Sequence, residues 1–145
     1  MRAPFTQLYV HLVWSTWDRL PMLTRGLMPQ VYDCIQAECT GLRVDLVAIG
    51  GIEDHVHVLV RMPPSIAISY LVQQLKGVSS HLANHSAAAE YVFKWQGGYG
   101  AFTVSKRSVA DVRDYILNQE ERHQTGRLYR ALEPGSRGGH SPASA

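Results

Sequence analysis

Two histidines, His55 and His57, are separated by one valine in an apolar run that continues to Val60. Alternate side chains of a β-strand point to the same face of the sheet, so we expect both imidazoles to share one face. Burying two polar rings on an apolar strand costs free energy unless they converge on a partner. Imidazole is a common ligand of divalent metals, so the spacing predicts a metal site on this strand.

A second polar stripe is predicted on a helix near the C-terminal end of the chain. Tyr115, Gln119 and His123 recur every fourth residue, which places all three along one side of a helix, while Ile116 and Leu117 are expected to face the core. A phenol has an unperturbed pKa of about 10, so attack near neutral pH requires a base or a cation beside it. A tyrosine next to a histidine-bound metal could therefore attack a phosphodiester whose oxygens the metal polarises.

Either of two residues of this helix, Gln119 or His123, could be the third protein ligand of such a metal. The carbonyl oxygen of Gln119 would complete a set of two imidazole nitrogens and one amide oxygen, with positions left for a phosphate oxygen and water. His123 lies on the same stripe, and imidazole is intrinsically the better donor. The simplest alternative for His123 is a solvated helix residue or a contact to nucleic acid.

Hydrophobic periodicity and turn residues predict the elements that position these groups. We expect strands at residues 7–15, 43–50, 55–61 and 100–104, and helices at 24–40, from 65 and from 108, with Thr24, Ser65 and Ser108 as caps. The glycines at 50 and 51, with Glu53 and Asp54, are expected to form a longer hairpin loop. The order predicts an α+β class: a ferredoxin-like split β-α-β-β-α-β antiparallel sheet with helices on one face, and an extra C-terminal helix that carries Tyr115.

Length and composition predict one globular domain. The 145 residues are 46% hydrophobic and 18% charged, with a formal net charge of +2 that neither announces nor excludes nucleic acid. We expect a domain at residues 1–133 and a disordered tail at 134–145, where Gly, Ser and Pro accumulate. Neither a signal peptide nor a membrane span is evident, and Cys34 and Cys39 are interpreted as reduced thiols, so a cytoplasmic location is expected.

The residues named so far resemble the HUH single-tyrosine transposases of small bacterial insertion sequences, including the REP-associated tyrosine transposases. The resemblance covers roughly residues 6–125. It rests on His55-Val56-His57 followed by Tyr115 and Gln119 in a Y-x-x-x-Q helix. Three further runs support it: Gly-Gly-Ile-Glu-Asp at residues 50–54, Leu-Lys-Gly with Ser-Ser at 75–80, and Trp-Gln-Gly-Gly-Tyr-Gly-Ala-Phe at 95–102.

The resemblance implies a homodimer that recognises hairpins in single-stranded DNA near the ends of an element. It implies that Tyr115 is the nucleophile, that the cut leaves a 5′-phosphotyrosine bond and a free 3′-OH, and that the reaction needs Mg²⁺ or Mn²⁺ but no ATP. His55, His57 and Gln119 would be the metal ligands. Because the phosphodiester energy is kept in the covalent link, rejoining would be nearly thermoneutral.

Basic, hydroxyl and aromatic side chains between the two motifs are candidate DNA contacts. Lysines and serines can hold backbone phosphates, and aromatic rings can stack on unpaired bases. For Lys76, Ser79 and Ser80, a solvated helix face is nearly as good an explanation. For Trp95, a core position is equally good. The candidates are Lys76, Ser79, Ser80, Lys94, Trp95 and Tyr99.

Two other classes of protein remain as alternatives. A small metal-dependent phosphoesterase is the nearest rival enzyme, but a third alternate histidine would be expected where Leu59 stands, and paired H-x-[ST] strand motifs are missing. A non-catalytic relative that binds hairpin nucleic acid is the other. The presence of His55, His57 and Tyr115 together favours the enzyme.

Overall fold

Four antiparallel strands form one sheet in the order β2-β3-β1-β4. The computed structural model describes residues 3–90 and 92–134. The strands are β1 (Leu8–Ser15), β2 (Asp45–Ile52), β3 (His55–Met62) and β4 (Gly100–Val104), and the helices are α1 (Met28–Gly41), α2 (Ile68–His85), α3 (Val109–Leu117) and α4 (Gln119–Thr125). This topology confirms the predicted split β-α-β-β-α-β arrangement with an addition at its C-terminal end.

The two faces of β3 have different neighbours, as its alternation predicts. One face carries Val56, Val58 and Val60, which are fully buried in the main core with residues of α1 and α2. The opposite face carries His55, His57 and Leu59. Leu59 forms a smaller cluster with Ala48 of β2 and Ile116 of α3. Helices therefore cover both faces of the sheet, and the expectation of helices on one face holds only for α1 and α2.

Strand β1 is apolar on both faces because it lies in the middle of the sheet. It pairs with β3 on one side and with β4 on the other. Leu12 and Trp14 are buried in the main core, whereas His11 and Val13 are buried on the face that carries the histidines of β3. The fold of one chain thus accounts for this double burial without a second subunit.

Strand β2 begins and ends later than expected. Arg43 has a positive φ of 59°, and the N–H of Val44 bonds to Cys39 O at 2.8 Å, so these residues terminate α1 instead of opening the strand. At the other end, pairing continues to Ile52 opposite His55. The predicted longer loop is therefore a two-residue turn, and Gly50 and Gly51 belong to the strand.

The first two long helices start a few residues after the caps that the sequence predicts. Thr24 belongs to a preceding turn, in which its carbonyl accepts the Met28 N–H at 2.8 Å, and Pro29 occupies the first turn of α1. Helix α2 begins at Ile68 with Ala67 as its N-cap, not at Ser65. Polar residues in the sequence therefore locate the start of a helix only to within a few residues.

The C-terminal helix is interrupted where the sequence predicts a continuous one. Asn118 has φ −112° and ψ 27°, and its side-chain Nδ2 donates to Asp114 O at 2.8 Å. The Asp114 carbonyl also accepts the backbone N–H of Asn118 at 3.2 Å, so side chain and main chain share one acceptor at the residue where α3 ends. Leu117, expected in the core, is half exposed, whereas Ile116 is buried as predicted.

The end of the described chain folds back onto the sheet. After α4, Gly126 adopts a positive φ of 75°, and a short 3-10 turn, Arg130–Leu132, leads to Glu133. Of the tail predicted at 134–145, only Pro134 is described, and the rest lies outside the described residues. Within the described ranges, no helix has the length and apolar character needed to cross a membrane.

Candidate active site

His55 and His57 both lie fully buried on the face of β3 that α3 covers. Their rings are 5.0 Å apart between centroids, in an edge-to-face arrangement. The Nδ1 of His55 is 2.7 Å from the Asp54 carboxylate, which can only accept, so His55 donates from Nδ1 and turns Nε2 toward the site. The predicted convergence of the two imidazoles is therefore present.

The ring of His57 is oriented by a third histidine. Its Nδ1 lies 2.9 Å from the Nε2 of His11, which is itself fully buried on β1. Its Nε2 points in the same direction as that of His55. That atom is buried, makes no hydrogen bond among the described residues, and lies 3.3 Å from a Glu133 carboxylate oxygen.

The carboxylate of Glu133 occupies the space between the histidines. One oxygen is 3.2 Å from His55 Nε2, and the other is the oxygen near His57. The nitrogens of His55 and His57 and a Glu133 oxygen all lie within 4.8 Å of one another, as the ligands of one metal ion do. Two imidazoles, one of which has a buried nitrogen without a hydrogen bond, and a carboxylate form a donor set suited to a divalent cation.

The Tyr115 hydroxyl reaches the same carboxylate. It donates to Glu133 Oε2 and accepts the N–H of Tyr129 at 3.2 Å. The Tyr115 ring is fully buried, packs edge-to-face on His57 with centroids 5.8 Å apart, and stacks on Tyr129 at 4.5 Å. The structure thus brings the predicted nucleophile to the predicted metal ligands, although the hydroxyl is not on the exposed stripe that the sequence suggests.

Gln119 and His123 both lie at the edge of this cluster. Gln119 Oε1 is 3.3 Å from His55 Nε2 and 3.1 Å from His123 Nε2, and its amide nitrogen donates to Tyr115 O at 3.2 Å. His123 Nε2 is also 2.9 Å from Glu133 Oε1. The amide of Gln119 therefore remains next to Tyr115 despite the break in the helix at Asn118.

The close approach of α3 to the sheet depends on a glycine. Gly50 of β2 is the register partner of His57. A Cβ placed on Gly50 would lie 2.1 Å from the carbonyl oxygen of Ile116, the residue that follows Tyr115. Since that oxygen belongs to the main chain, no side-chain rotation can relieve the clash. The backbone of α3 can therefore rest directly against β2 only when this position has no side chain.

Burial and charge shift the titrating groups of the site. Burial alone would lower the pKa of His55, but its hydrogen bonds with Asp54 and Glu133 outweigh that effect and raise it. Burial lowers the pKa of His57, and it lowers that of His11 to about 3. The pKa of Glu133 is lowered, because its favourable interactions with the imidazoles of His55 and His57 outweigh burial.

The phenol of Tyr115 is held in its protonated form. Burial, followed by the hydrogen bond with the Glu133 carboxylate, raises its pKa to about 12. A tyrosine in this state attacks poorly near neutral pH. Activation requires a base or a cation close to the phenolic oxygen; the Glu133 carboxylate accepts its hydrogen bond, and the histidine cluster is the place where a cation would bind.

Two of the six candidate DNA contacts are part of the core. Ser79 is fully buried, donates to Leu75 O at 2.6 Å and accepts the indole N–H of Trp95 at 2.9 Å. Trp95 packs edge-to-face against Trp14 and Phe93. Neither side chain is available to DNA, so the prediction of direct contact is wrong for both, and the alternative of a core position for Trp95 is correct.

The other candidates lie at or near the surface. Lys76 donates to the carbonyls of Gln96 and Gly98 at 2.7 and 2.9 Å, so it holds the glycine-rich loop against α2. Lys94 lies over the ring of Trp17, 3.9 Å from its centroid. Trp17 and Tyr99 are both more than two-fifths exposed. Lys94 and Trp17 thus present a cation and an aromatic face together, and Trp17 carried no signal in the sequence.

Three residues near the histidines were also not predicted as part of the site. A signal for His11 existed, because it alternates with Val13 on a strand that pairs with β3, but the pairing register is not encoded in that alternation. Asp54 stands in the predicted hairpin loop and in the Gly-Gly-Ile-Glu-Asp run at residues 50–54, but neither pattern indicates its hydrogen bond to His55. Glu133 carried no signal, since it directly precedes the Pro, Gly and Ser-rich segment.

Comparison with known proteins bears on this arrangement. The sequence profile described as "Transposase IS200 like" matches residues 4–119. The chain is 35% identical over 89 residues to the transposase for insertion sequence element IS200 of Salmonella typhimurium, a match that covers 57% of each chain. It is 26% identical over 121 residues to the ISDra2 transposase TnpA of Deinococcus radiodurans, covering 80% of this chain and 86% of that one.

Solved structures share the fold. A crystal structure of a chain from Deinococcus radiodurans described as a transposase superposes with a TM-score of 0.63 at 27% identity, covering 82% of this chain and 95% of that one. A REP-associated tyrosine transposase bound to a REP hairpin gives 0.62 at 13% identity, covering 88% and 74%. The profile spans the sheet, the histidine pair and the tyrosine helix as far as Gln119, and the chain therefore belongs to the IS200-like transposase family.

Proposed function

We propose that the protein is a transposase that cuts and rejoins single-stranded DNA at the ends of an insertion sequence. The observation that carries the proposal is the position of the Glu133 carboxylate. This anion is bound at once by the Tyr115 hydroxyl and by the metal-facing sides of His55 and His57. We infer that a phosphate of DNA takes the place of this anion, between the nucleophile and the metal-ligand pair.

The chemistry follows from the groups on the two sides of that anion. With a DNA phosphate in place of the carboxylate, the Tyr115 oxygen would lie next to phosphorus. Its attack forms a phosphorus–oxygen bond to the phenol and breaks the bond to the 3′ oxygen, which leaves with a proton as a free 3′-OH, while the phenolic proton passes to solvent. The product is a 5′-phosphotyrosine, and the reverse attack by a 3′-OH rejoins the strand without ATP.

Mg²⁺ or Mn²⁺ is the proposed cation, because carboxylate and amide oxygens are ligands that both ions accept. We propose His55, His57 and Gln119 as ligands, as the family resemblance implies. In the DNA-free protein Glu133 would be an additional ligand, which the phosphate would displace. A cation held there would polarise the scissile phosphate and lower the barrier to forming a phenolate. His123 contacts both Gln119 and Glu133 and orients them.

Unpaired DNA with a hairpin is the proposed substrate form. Lys94 and Trp17 offer a cation and a ring for backbone and base, with Lys76, Ser80 and Tyr99 as further contacts, and a net charge of +2 gives no strong general attraction to duplex. We expect single-stranded hairpins to outcompete blunt duplex of equal length in gel-shift competition, and binding to weaken with salt. A preference for plain duplex would contradict the proposal.

Incubation of the protein with a labelled hairpin strand and Mn²⁺ tests the activity itself. A transposase of this kind gives a covalent protein–oligonucleotide adduct and a free 3′-OH. A non-catalytic hairpin-binding relative would shift the strand without forming an adduct. A metal-dependent phosphoesterase would release product with no protein-linked intermediate.

The homodimer remains a proposal that rests on the edges of the sheet. Strands β2 and β4 each have one neighbour among the described strands, and exposed edges of this kind are commonly paired or covered. We expect light scattering at micromolar concentration to give twice the mass of one chain, and a stable monomer would overturn the expectation. The cytoplasmic location is likewise proposed, and it agrees with two free cysteines in the described chain.

A further inference from the structure

The buried pair formed by His11 and His57 lies immediately behind the proposed metal site. His11 belongs to β1 and is not expected to contact metal or substrate, because His57 lies between it and the cluster. Its Nε2 is 2.9 Å from His57 Nδ1, and both rings are fully buried. Its ring also packs near Phe102 of β4, with centroids 6.0 Å apart. The contact is too short and too well enclosed to be incidental.

The hydrogen atoms of this pair can be counted. Two facing nitrogens 2.9 Å apart share one hydrogen, because two lone pairs would repel each other and two N–H groups would clash. A neutral imidazole carries one N–H in total. If His57 donates from Nδ1, its Nε2 presents a lone pair to the cluster. If His11 donates instead, Nε2 of His57 carries the hydrogen and cannot bind a metal.

His55 makes a corresponding hydrogen bond from its Nδ1, with Asp54 as the acceptor. Asp54 accepts a hydrogen bond from His55 Nδ1 at 2.7 Å and leaves His55 Nε2 directed at the cluster. Histidines that bind metals commonly donate their other N–H to a carboxylate or another acceptor, which fixes the tautomer and the direction of the ring. Among the described residues, the group that faces His57 Nδ1 is the imidazole of His11 and not a carboxylate, so His11 is placed to act as the acceptor.

We propose that His11 is a positioning residue that accepts a hydrogen bond from His57 Nδ1 and thereby holds His57 in the tautomer that binds the metal. The inference rests on the proposed metal site. It assigns a role to a residue of β1 that makes no contact with Tyr115 or Glu133 in the hydrogen bonds described above. In this arrangement the N–H of His11 lies on Nδ1, which is buried and has no hydrogen-bond partner among the described residues. That unsatisfied N–H costs free energy of folding.

Titration of Mn²⁺ by calorimetry into variants of position 11 tests this role. His11→Phe keeps a ring of similar size and removes the acceptor, so we expect Mn²⁺ affinity to fall about 10- to 100-fold. His11→Gln retains an acceptor near the Nε2 position and should recover most of that loss. Phe102→Leu, a change beside His11 that leaves both imidazoles intact, is the matched control and should bind Mn²⁺ as the wild type does.

Long-range ¹H–¹⁵N spectra of the Mg²⁺-loaded wild type report the tautomer directly. We expect the hydrogen of His57 on Nδ1, and a hydrogen on Nε2 would overturn the inference even if His11→Phe failed to fold. It would also be overturned if folded His11→Phe bound Mn²⁺ as tightly as the wild type, or if folded His11→Gln bound as weakly as His11→Phe. Equal titrations of the wild type and His57→Ala would instead show that the proposed metal site itself is wrong.

Discussion

Replacing Tyr115 with phenylalanine is expected to abolish the covalent adduct with a hairpin strand. The substitution removes one oxygen and preserves the ring that packs on His57 and Tyr129. No other hydroxyl is among the groups that bind the Glu133 carboxylate in the contacts described above. Denaturing gels of protein incubated with labelled DNA and Mn²⁺ measure the adduct, and peptide mass spectrometry of the wild-type adduct should place the nucleotide on Tyr115.

The same variant should lose some stability, in contrast to what an exposed hydroxyl would suggest. The Tyr115 hydroxyl bonds to Glu133 and to the Tyr129 N–H, and loss of such bonds costs about 1 kcal/mol of unfolding free energy. Tyr129→Phe is the matched control, because it removes a hydroxyl from the stacked neighbouring ring and should still form the adduct. Full cleavage by Tyr115→Phe, or an adduct on another tyrosine, would contradict the mechanism.

Replacing His57 with alanine is expected to remove both Mn²⁺ binding and cleavage. The change takes away a buried nitrogen of the three-residue donor set, and the remaining His55 and Glu133 cannot enclose an ion as well. Calorimetric titration measures the binding. Glu133→Gln keeps one oxygen and loses the charge, so its Mn²⁺ affinity should fall by a smaller factor than that of His57→Ala.

A histidine outside the site provides the control for this experiment. His81 is on α2 and contacts His85, away from the cluster, so His81→Ala should bind Mn²⁺ and cut DNA like the wild type. Circular dichroism should show that His57→Ala retains the fold, since the main core lies on the other face of β3. Equal heats for the wild type and the double variant His55→Ala/His57→Ala would refute the metal site.

Local patterns predicted the parts of the site that depend on periodicity. The alternation around His55 and His57 indicated their common face, and the four-residue spacing placed Gln119 near Tyr115. The first follows from the geometry of one strand. The second survives the break at Asn118, because the Gln119 amide still donates to Tyr115 O. The strand order could also be anticipated, because short connections and alternating elements leave few topologies.

What escaped prediction depends on contacts between distant segments. Glu133 reaches the histidines only because the chain reverses after α4, and no local pattern encodes that path. The hydrogen bond of His11 depends on the register of β1 against β3, which the periodicity of either strand alone does not specify. The break at Asn118 lies in the backbone conformation of one residue, and a periodic pattern of apolar residues is insensitive to it.

Gly50 has a consequence for how such a protein can change over generations. The distance between the helix of Tyr115 and the strand of His57 is set by main chain against main chain, at a residue that stands opposite His57. Core side chains around it can therefore be exchanged for others of similar volume without altering the reach of the phenol. The lineage can drift widely in sequence and keep its geometry, but at this one codon any change of residue displaces the helix.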